Sequence, residues 1–555
     1  MKSSNRRNFS TTYFAIFLLT LSLILGGCLT GQQPSAYYGR VVVPRTQEFR
    51  WSDGGLPRTF DPAFAAAPPD TDAVRALFEG LTDFDPKTLA PIPAVAKRWE
   101  SSSDGRVWTF YLREDAKWSN GEAVTASDFV RSWERTLRIG PLAPHTELLS
   151  NIEGSGVSPK PSTAPGGSPT GFGVQALSDH VLRVRLQEPD SSFPALVAHP
   201  VFRPVKISPN ATPHTHPIEP GELVSNGAFQ LSTTDTEHVL LERAHTYWDG
   251  ASVTLDKVSF VTSSNAEDAL AAYRAGDVDA VTNAAFEPLA LKLLAGYEDF
   301  RRSTFGALTY YSFNSTHAPF DDVRVREALA LAIDRERVSR DDLGGATEPA
   351  GKFFPEAMSG ERPVVSKAEL LQQDAKRARD LLSQAGFPNG DGFPLVRLLI
   401  NRNDQQRAVA QSIAAMWRSV LNIQTEVIIK NWDEYGVAAR SGDYDVIRRG
   451  MVMQTTGELT NLKMLFERDS QPVVPEPVAT PGKPVEPGKA EELARRTVQF
   501  SSEEEALKEL RAMPIYFASS FALVKPYVSG FDGNVLDVPS LKKIRIDTSW
   551  VERKP

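Results

Sequence analysis

The sequence predicts an α/β protein built from more than one lobe. Its 555 residues exceed what one hydrophobic core organises, so about two or three domains are expected. Stretches of period-two alternation are interleaved with stretches of helical spacing, the pattern of strands and helices layered on each other. Hydrophobic residues make up 41% and charged residues 23% of the chain, as in an ordinary globular body.

The elements follow in order. Residues 47–51 begin a strand, and 56–61 lead into an Ala/Pro-rich loop at 62–69. Residues 71–78 read as a helix with Val74, Leu77 and Phe78 on one face. Residues 107–112 alternate, with Trp108, Phe110 and Leu112 opposite Thr109 and Tyr111, as in a half-buried strand. Asn120-Gly121 makes a turn, and Thr125 with Asp128 makes a capping box. Phe129, Trp133 and Leu137 then recur every four residues and face a core. Residues 181–186 form a strand with Leu182, Val184 and Leu186 inward. Residues 323–337, 375–385 and 408–421 read as helices, and 395–400 and 426–429 as buried strands. Residues 155–169 are rich in Gly, Ser and Pro. Residues 471–489 are Pro-rich and extended, either a surface insertion or a segment read by a partner.

The N-terminus reads as a targeting segment. Lys2, Arg6 and Arg7 precede an apolar run at 14–25 that is too short to span a bilayer. The run ends in Leu25-Gly26-Gly27-Cys28, which resembles a bacterial lipobox. Residues 1–27 are then a lipoprotein signal peptide, and Cys28 carries acyl chains such as palmitate. The alternative is a plain secretory signal. Cys28 is the only cysteine, so its acylation leaves no disulfide and no thiol nucleophile. Residues 28–44 read as a tether, and no later stretch is apolar enough to span a membrane.

Several function classes are disfavoured. Net charge is −8 and pI about 5.7, with no basic run, so no nucleic-acid partner is expected. The eight histidines are scattered, and the His214/His216 pair lacks further metal ligands. Asp277 and Asp279 lie two apart in a turn-to-strand segment and are read as capping it. No GxSxG, P-loop or HExxH is present, so neither an enzyme nor a cofactor is expected.

The block 107–133 (VWTFYLREDAKWSNGEAVTASDFVRSW) resembles a signature of the family 5 solute-binding proteins of peptide-type ABC importers. Further motifs stand in family order: Leu77-Phe78-Glu79-Gly80-Leu81, Asn226-Gly227-Ala228-Phe229, Tyr247-Trp248, 255–258 (LDKV), 273–279 (YRAGDVD), 310–333, 513–516 (MPIY) and 524–530 (VKPYVSG). Each is weak alone; their order over 45–535 is specific.

The resemblance implies the two-lobed periplasmic-binding-protein fold with an extra subdomain in the first lobe. Domain I is expected from 45–78, 205–308 and 524–555, domain II from 79–204, and domain III from 309–523. It further implies a monomeric receptor that takes a peptide-like ligand between closing lobes. The receptor would deliver that ligand to an ABC permease and ATPase, touching the membrane only through its lipid. By position, Ala66, Pro68 and Asp70 are expected to pair with an extended ligand backbone. Asn283, Phe305, Trp432, Arg440, Arg448, Gly450, Met451, Val452 and Gln454 are expected to line the cleft.

At one point the chain departs from the family. Gln454 stands where the family's ammonium-binding aspartate belongs, and Met451 replaces a tryptophan. A neutral amide cannot replace a carboxylate as partner of an ammonium. The ligand is then a peptide with a blocked N-terminus, or a non-peptide such as a metal chelate, haem or glycan. Otherwise Glu458 substitutes, or binding is lost and the chain is a signalling or structural lipoprotein. Restoring aspartate at 454 is expected to raise affinity for free-amino peptides.

Overall fold

The structure, a computed structural model, describes residues 36–156, 171–206, 220–358, 371–467 and 500–552. The signal 1–27, Cys28, His214, His216, most of 155–169 and the insertion 471–489 lie outside these residues.

One sheet of 11 strands runs through the molecule. Its centre is a pair of long antiparallel strands, Phe300–Phe313 and Ala512–Val524. On one side the sheet continues through Ala280–Thr282, Glu48–Asp53, Lys257–Val261, His238–Arg243 and Phe229–Thr234. On the other it continues through Val446–Val452, Val396–Asn401 and Thr425–Lys430. The two halves carry separate cores. Phe49, Trp51 and Phe260 belong to one, while Val325, Leu398 and Trp417 belong to the other. This is a two-lobed α/β architecture, as expected.

The long strands fall out of register where the lobes meet. Thr304 pairs with Ser519 and Leu308 with Phe517, so Phe305, Gly306 and Ala307 stand opposite Ala518. Such a bulge leaves backbone groups free for partners outside the pair. The Gly306 N–H donates to the Val535 carbonyl at 2.6 Å, and its carbonyl accepts from the Met453 N–H at 2.9 Å. A Cβ at Gly306 would lie 3.0 Å from the Val535 oxygen and 3.3 Å from the Met453 side chain. Gly306→Val is therefore expected to lower stability by about 1–3 kcal/mol, read by urea denaturation. An unchanged midpoint would show that the bulge relaxes freely.

Residues 79–204 add a four-stranded sheet: Ala96–Ser101, Val107–Leu112, Val181–Arg185 and Val174–Ser178, in that order. The helix Ala126–Ile139 packs on it with the expected Thr125–Asp128 capping box, and Phe129 and Trp133 are fully buried. The Trp133 indole donates to the Phe202 carbonyl at 2.8 Å.

Three local expectations change. The strand Thr425–Lys430, read as buried over 426–429, is a partly exposed edge strand. Residues 323–337 are not one helix: Val323–Leu331 ends, and Asp334 caps a new short helix by accepting from the Arg337 N–H. The break lets buried Arg335 donate to the Pro514 and Ala330 carbonyls. Residues 36–44, read as tether, are docked on the first lobe. Tyr38 stacks on Tyr273, the Asp299 carboxylate accepts the Tyr38 N–H, and the Lys525 ammonium donates to the Tyr38 and Arg40 carbonyls. These partners are distant in sequence, so the docking is invisible in a composition that reads as linker.

Candidate functional site

The loop after Asp61 is fixed from below. Asp61 and Arg135 form a buried two-pronged ion pair that ties the loop to the helix Ala126–Ile139. The Ala66 carbonyl accepts from His145 Nε2 at 3.0 Å. The Ala67 and Pro69 carbonyls accept from the Thr71 and Ala73 N–H groups, and the Asp70 carboxylate accepts the Arg58 N–H at 2.7 Å. Pro68 and Pro69 have no N–H. Of the groups expected to pair with a ligand, the Ala66 carbonyl and the Asp70 carboxylate are therefore already engaged, and Pro68 offers no N–H.

The same loop is joined to Gln454 through two histidines. His145 meets the His199 ring edge to face, with centroids 4.8 Å apart. The Val201 N–H donates to His199 Nδ1 at 3.2 Å, so the proton of this imidazole sits on Nε2. That Nε2–H faces Gln454 Oε1 at 3.1 Å. His199 is held well below the usual imidazole range, first by burial and then by the positive surroundings of His145, Arg75 and Arg203. Gln454 is thus the acceptor for a neutral histidine in a cationic neighbourhood. Its oxygen is spent on that histidine. Glu458 is also engaged, because its carboxylate accepts the Glu503 N–H at 2.6 Å.

On the strand Val446–Val452 alternate residues face opposite ways. Met451 turns into a core with Leu308 and Met453, so it is packing rather than lining. Arg448, Gly450 and Val452 share the other face. The half-buried Arg448 guanidinium donates to Thr309 Oγ1 at 3.3 Å, and its buried Nε has no acceptor. Its carbonyl accepts from the Tyr435 hydroxyl, and Trp432, 67% exposed, meets the Tyr435 ring edge on. Arg440 lies at the far end of the helix Trp432–Ser441, exposed and folded back over Gly436. It stands about 12 Å along the axis from Trp432, as a solvated charge. Phe305 is half-buried in the inter-lobe bulge.

Asn283 borders a cavity of about 240 Å³ at the foot of the long strands, with Trp51, Asp72, Thr282 and Asp537. Its amide donates to Asp53 Oδ1 at 2.6 Å, and Thr282 Oγ1 donates to the same oxygen at 2.7 Å. Asp53 and Asp72 are buried against each other. Burial raises Asp53 to about 6. Asp72 is raised well above the carboxylate range by burial and then by the charge of Asp53.

Residues 90–471 match the model of the bacterial extracellular solute-binding proteins, family 5 Middle. The chain belongs to that family. Family 5 members are binding proteins, and this one is not an enzyme. The periplasmic oligopeptide-binding protein OppA of Salmonella typhimurium is 30% identical over 534 residues, 92% of this chain and 96% of its own. The periplasmic murein peptide-binding protein MppA of Escherichia coli is 31% identical over 491 residues, 86% of this chain and 89% of its own. The unliganded open form of MppA superposes with a TM-score of 0.74, at 29% identity, over 91% of this chain and 98% of that one. OppA of Haemophilus influenzae in complex with the peptide RPPGFSPFR gives 0.60, at 26% identity, over 91% and 100%.

In this family 5 protein the structure links Ala66 to Gln454 through two hydrogen bonds and the ring contact between His145 and His199, and gathers Trp432 with Arg448. It leaves Met451 and Arg440 outside. Sequence reading missed His145, His199, Asp53 and Asp72. The histidines are 54 positions apart and the aspartates 19, with no spacing rule to link them. An aspartate introduced at 454 would meet His199. Gln454→Asp is therefore expected to raise the His199 pKa, seen by NMR titration, with no gain for free-amino peptides.

Proposed function

We propose that this chain is a lipid-anchored receptor that captures a peptide, free or modified, between its lobes and presents it to an ABC importer. The observation that carries the reading is the pair of long strands joining two separately cored lobes, with a register break between them and a cavity at their foot. A break at one level in two adjacent antiparallel connections is where rigid lobes can pivot. The superposition is better on an unliganded open form than on a peptide complex, in keeping with lobes that stand apart. The names of the relatives supply the ligand class, peptides. Arg448 adds a guanidinium edge suited to an anionic ligand group.

Ligand bound only by the native state stabilises it by about 2.7 kcal/mol at a hundred times Kd. Tetrapeptide mixtures are therefore expected to raise the melting temperature of the acyl-free protein in a thermal-shift assay. The absence of a rise with free and with N-acylated mixtures would remove the peptide reading. Anchoring is tested separately: Cys28→Ser is expected to abolish acyl labelling of the cell-borne protein and to release it from the membrane fraction.

A further inference from the structure

We propose that the Asp53–Asp72 pair, with Asp72 on the wall of the 240 Å³ cavity and Asp53 behind the lining residues Thr282 and Asn283, is the subsite that receives a primary ammonium group of the ligand. The inference rests on the peptide reading above and moves the ammonium from the second lobe to the first.

Asp53 and Asp72 are 0% and 2% exposed. Asp53 Oδ1 accepts from Thr282 and Asn283, and Asp72 Oδ1 accepts from Arg75 Nη1 at 3.3 Å. The Oδ2 atom of each is buried and meets no donor from any residue outside the pair. Buried carboxylate oxygens without donors are costly and rare. An ammonium is compact and brings three N–H donors, so one such group can serve both oxygens. Asp537, bonded to Ser520 at 2.8 Å, adds a third carboxyl beside the same cavity. Position 454 offers the opposite environment: a neutral amide spent on His199, with Arg75 and Arg203 nearby.

Without a cation, two adjacent buried carboxylates hold a proton between them. An incoming ammonium takes over that role, and the shared proton leaves to solvent. Binding should therefore release about one proton near neutral pH and tighten as pH rises. The other charged groups facing the cavity are Arg301, Arg302 and Asp532, of which the two arginines donate to the Phe531 and Thr347 carbonyls.

The test uses three mixed-sequence tetrapeptide pools on the whole protein: free amino termini, N-acetylated without lysine, and N-acetylated with one lysine. Calorimetry in two buffers of different ionisation enthalpy reads affinity and proton release. The free-amino pool is expected to bind about tenfold to hundredfold tighter than the acetylated pool without lysine, as for a charge-assisted hydrogen bond, with proton release. If the lysine pool recovers the affinity, the ammonium is a side chain's; if it does not, it is the α-ammonium. Asp53→Asn keeps the shape but turns an N–H toward Asp72, and should abolish both the preference and the proton release. Asp72→Asn should do the same. Equal binding of all three pools overturns the subsite and leaves the peptide reading intact, whereas no binding of any pool overturns both. A gain for the free-amino pool in Gln454→Asp would place the ammonium in the second lobe and also overturn the subsite.

Discussion

Glu79→Ala is expected to lower the unfolding free energy by about 3–5 kcal/mol, the cost of removing one partner from a buried ionic network. The Glu79 carboxylate is 2% exposed and accepts from the Tyr247 hydroxyl, the Trp248 indole at 2.6 Å and the Lys542 ammonium at 3.1 Å. Its backbone exchanges two hydrogen bonds with the Asn226 side chain. One residue thus joins four segments of the first lobe. Lys542 also pairs with Asp83 at 2.7 Å, which Arg203 reaches at 3.4 Å. Alanine would leave the Lys542 ammonium with Asp83 alone and would strand two donors, the Tyr247 hydroxyl and the Trp248 indole. Urea denaturation checks this, and a loss below about 1 kcal/mol, the scale of an exposed pair, would mean that water replaces the carboxylate. The network also sets an acid limit. Burial alone would raise Asp83, but Lys542 and Arg203 outweigh it and hold the carboxyl at about 2. A depressed carboxyl stabilises the fold above its unfolded pKa, so this contribution is lost as pH falls from about 4 toward 2.

Asp53→Asn is expected to act in the other direction and stabilise the ligand-free protein at neutral pH. Burial raises Asp53 to about 6 in the fold. A carboxyl raised by about two units costs about 3 kcal/mol once it must ionise. The sign follows from proton binding. The folded state holds the proton more tightly than the unfolded chain, so stability falls as pH rises from about 4 to about 6 and stays lower above. The asparagine amide donates to Asp72, keeps an acceptor for Thr282 and Asn283, and leaves Asp72 paired with Arg75. The gain should reach about 3 kcal/mol at pH 7 and vanish near pH 4. Melting curves of both proteins across that range decide it; parallel curves would mean that the pair is not strained. A stabilising substitution that removes ligand binding is the usual mark of a functional group held at a cost.

Much of the scaffold was legible. Trp108, Phe110 and Leu112 alternate in the sequence and are buried in the strand Val107–Leu112. The Thr125–Asp128 box caps its helix as read. These features are local: period and capping depend on residues within one turn or a few pleats. The motif order marked the family for the same reason, because each motif is a short run. Glu79, Tyr247 and Trp248 were read only as such runs, although together they are one hydrogen-bonded cluster.

The site was less legible, and Gln454 shows why. Its loss of charge was readable, but its partner was not, since His199 lies 255 positions away. Met451 looked like a lining residue in place of a tryptophan, yet the pleat turns it into the core beside Leu308. By itself the sequence determined periodicities, caps and the family, because these rest on neighbours along the chain. Only the tertiary structure decided which carboxylates meet and which histidine is neutral. Those properties depend on burial and on charges brought together from distant segments, and neither is encoded at any one position.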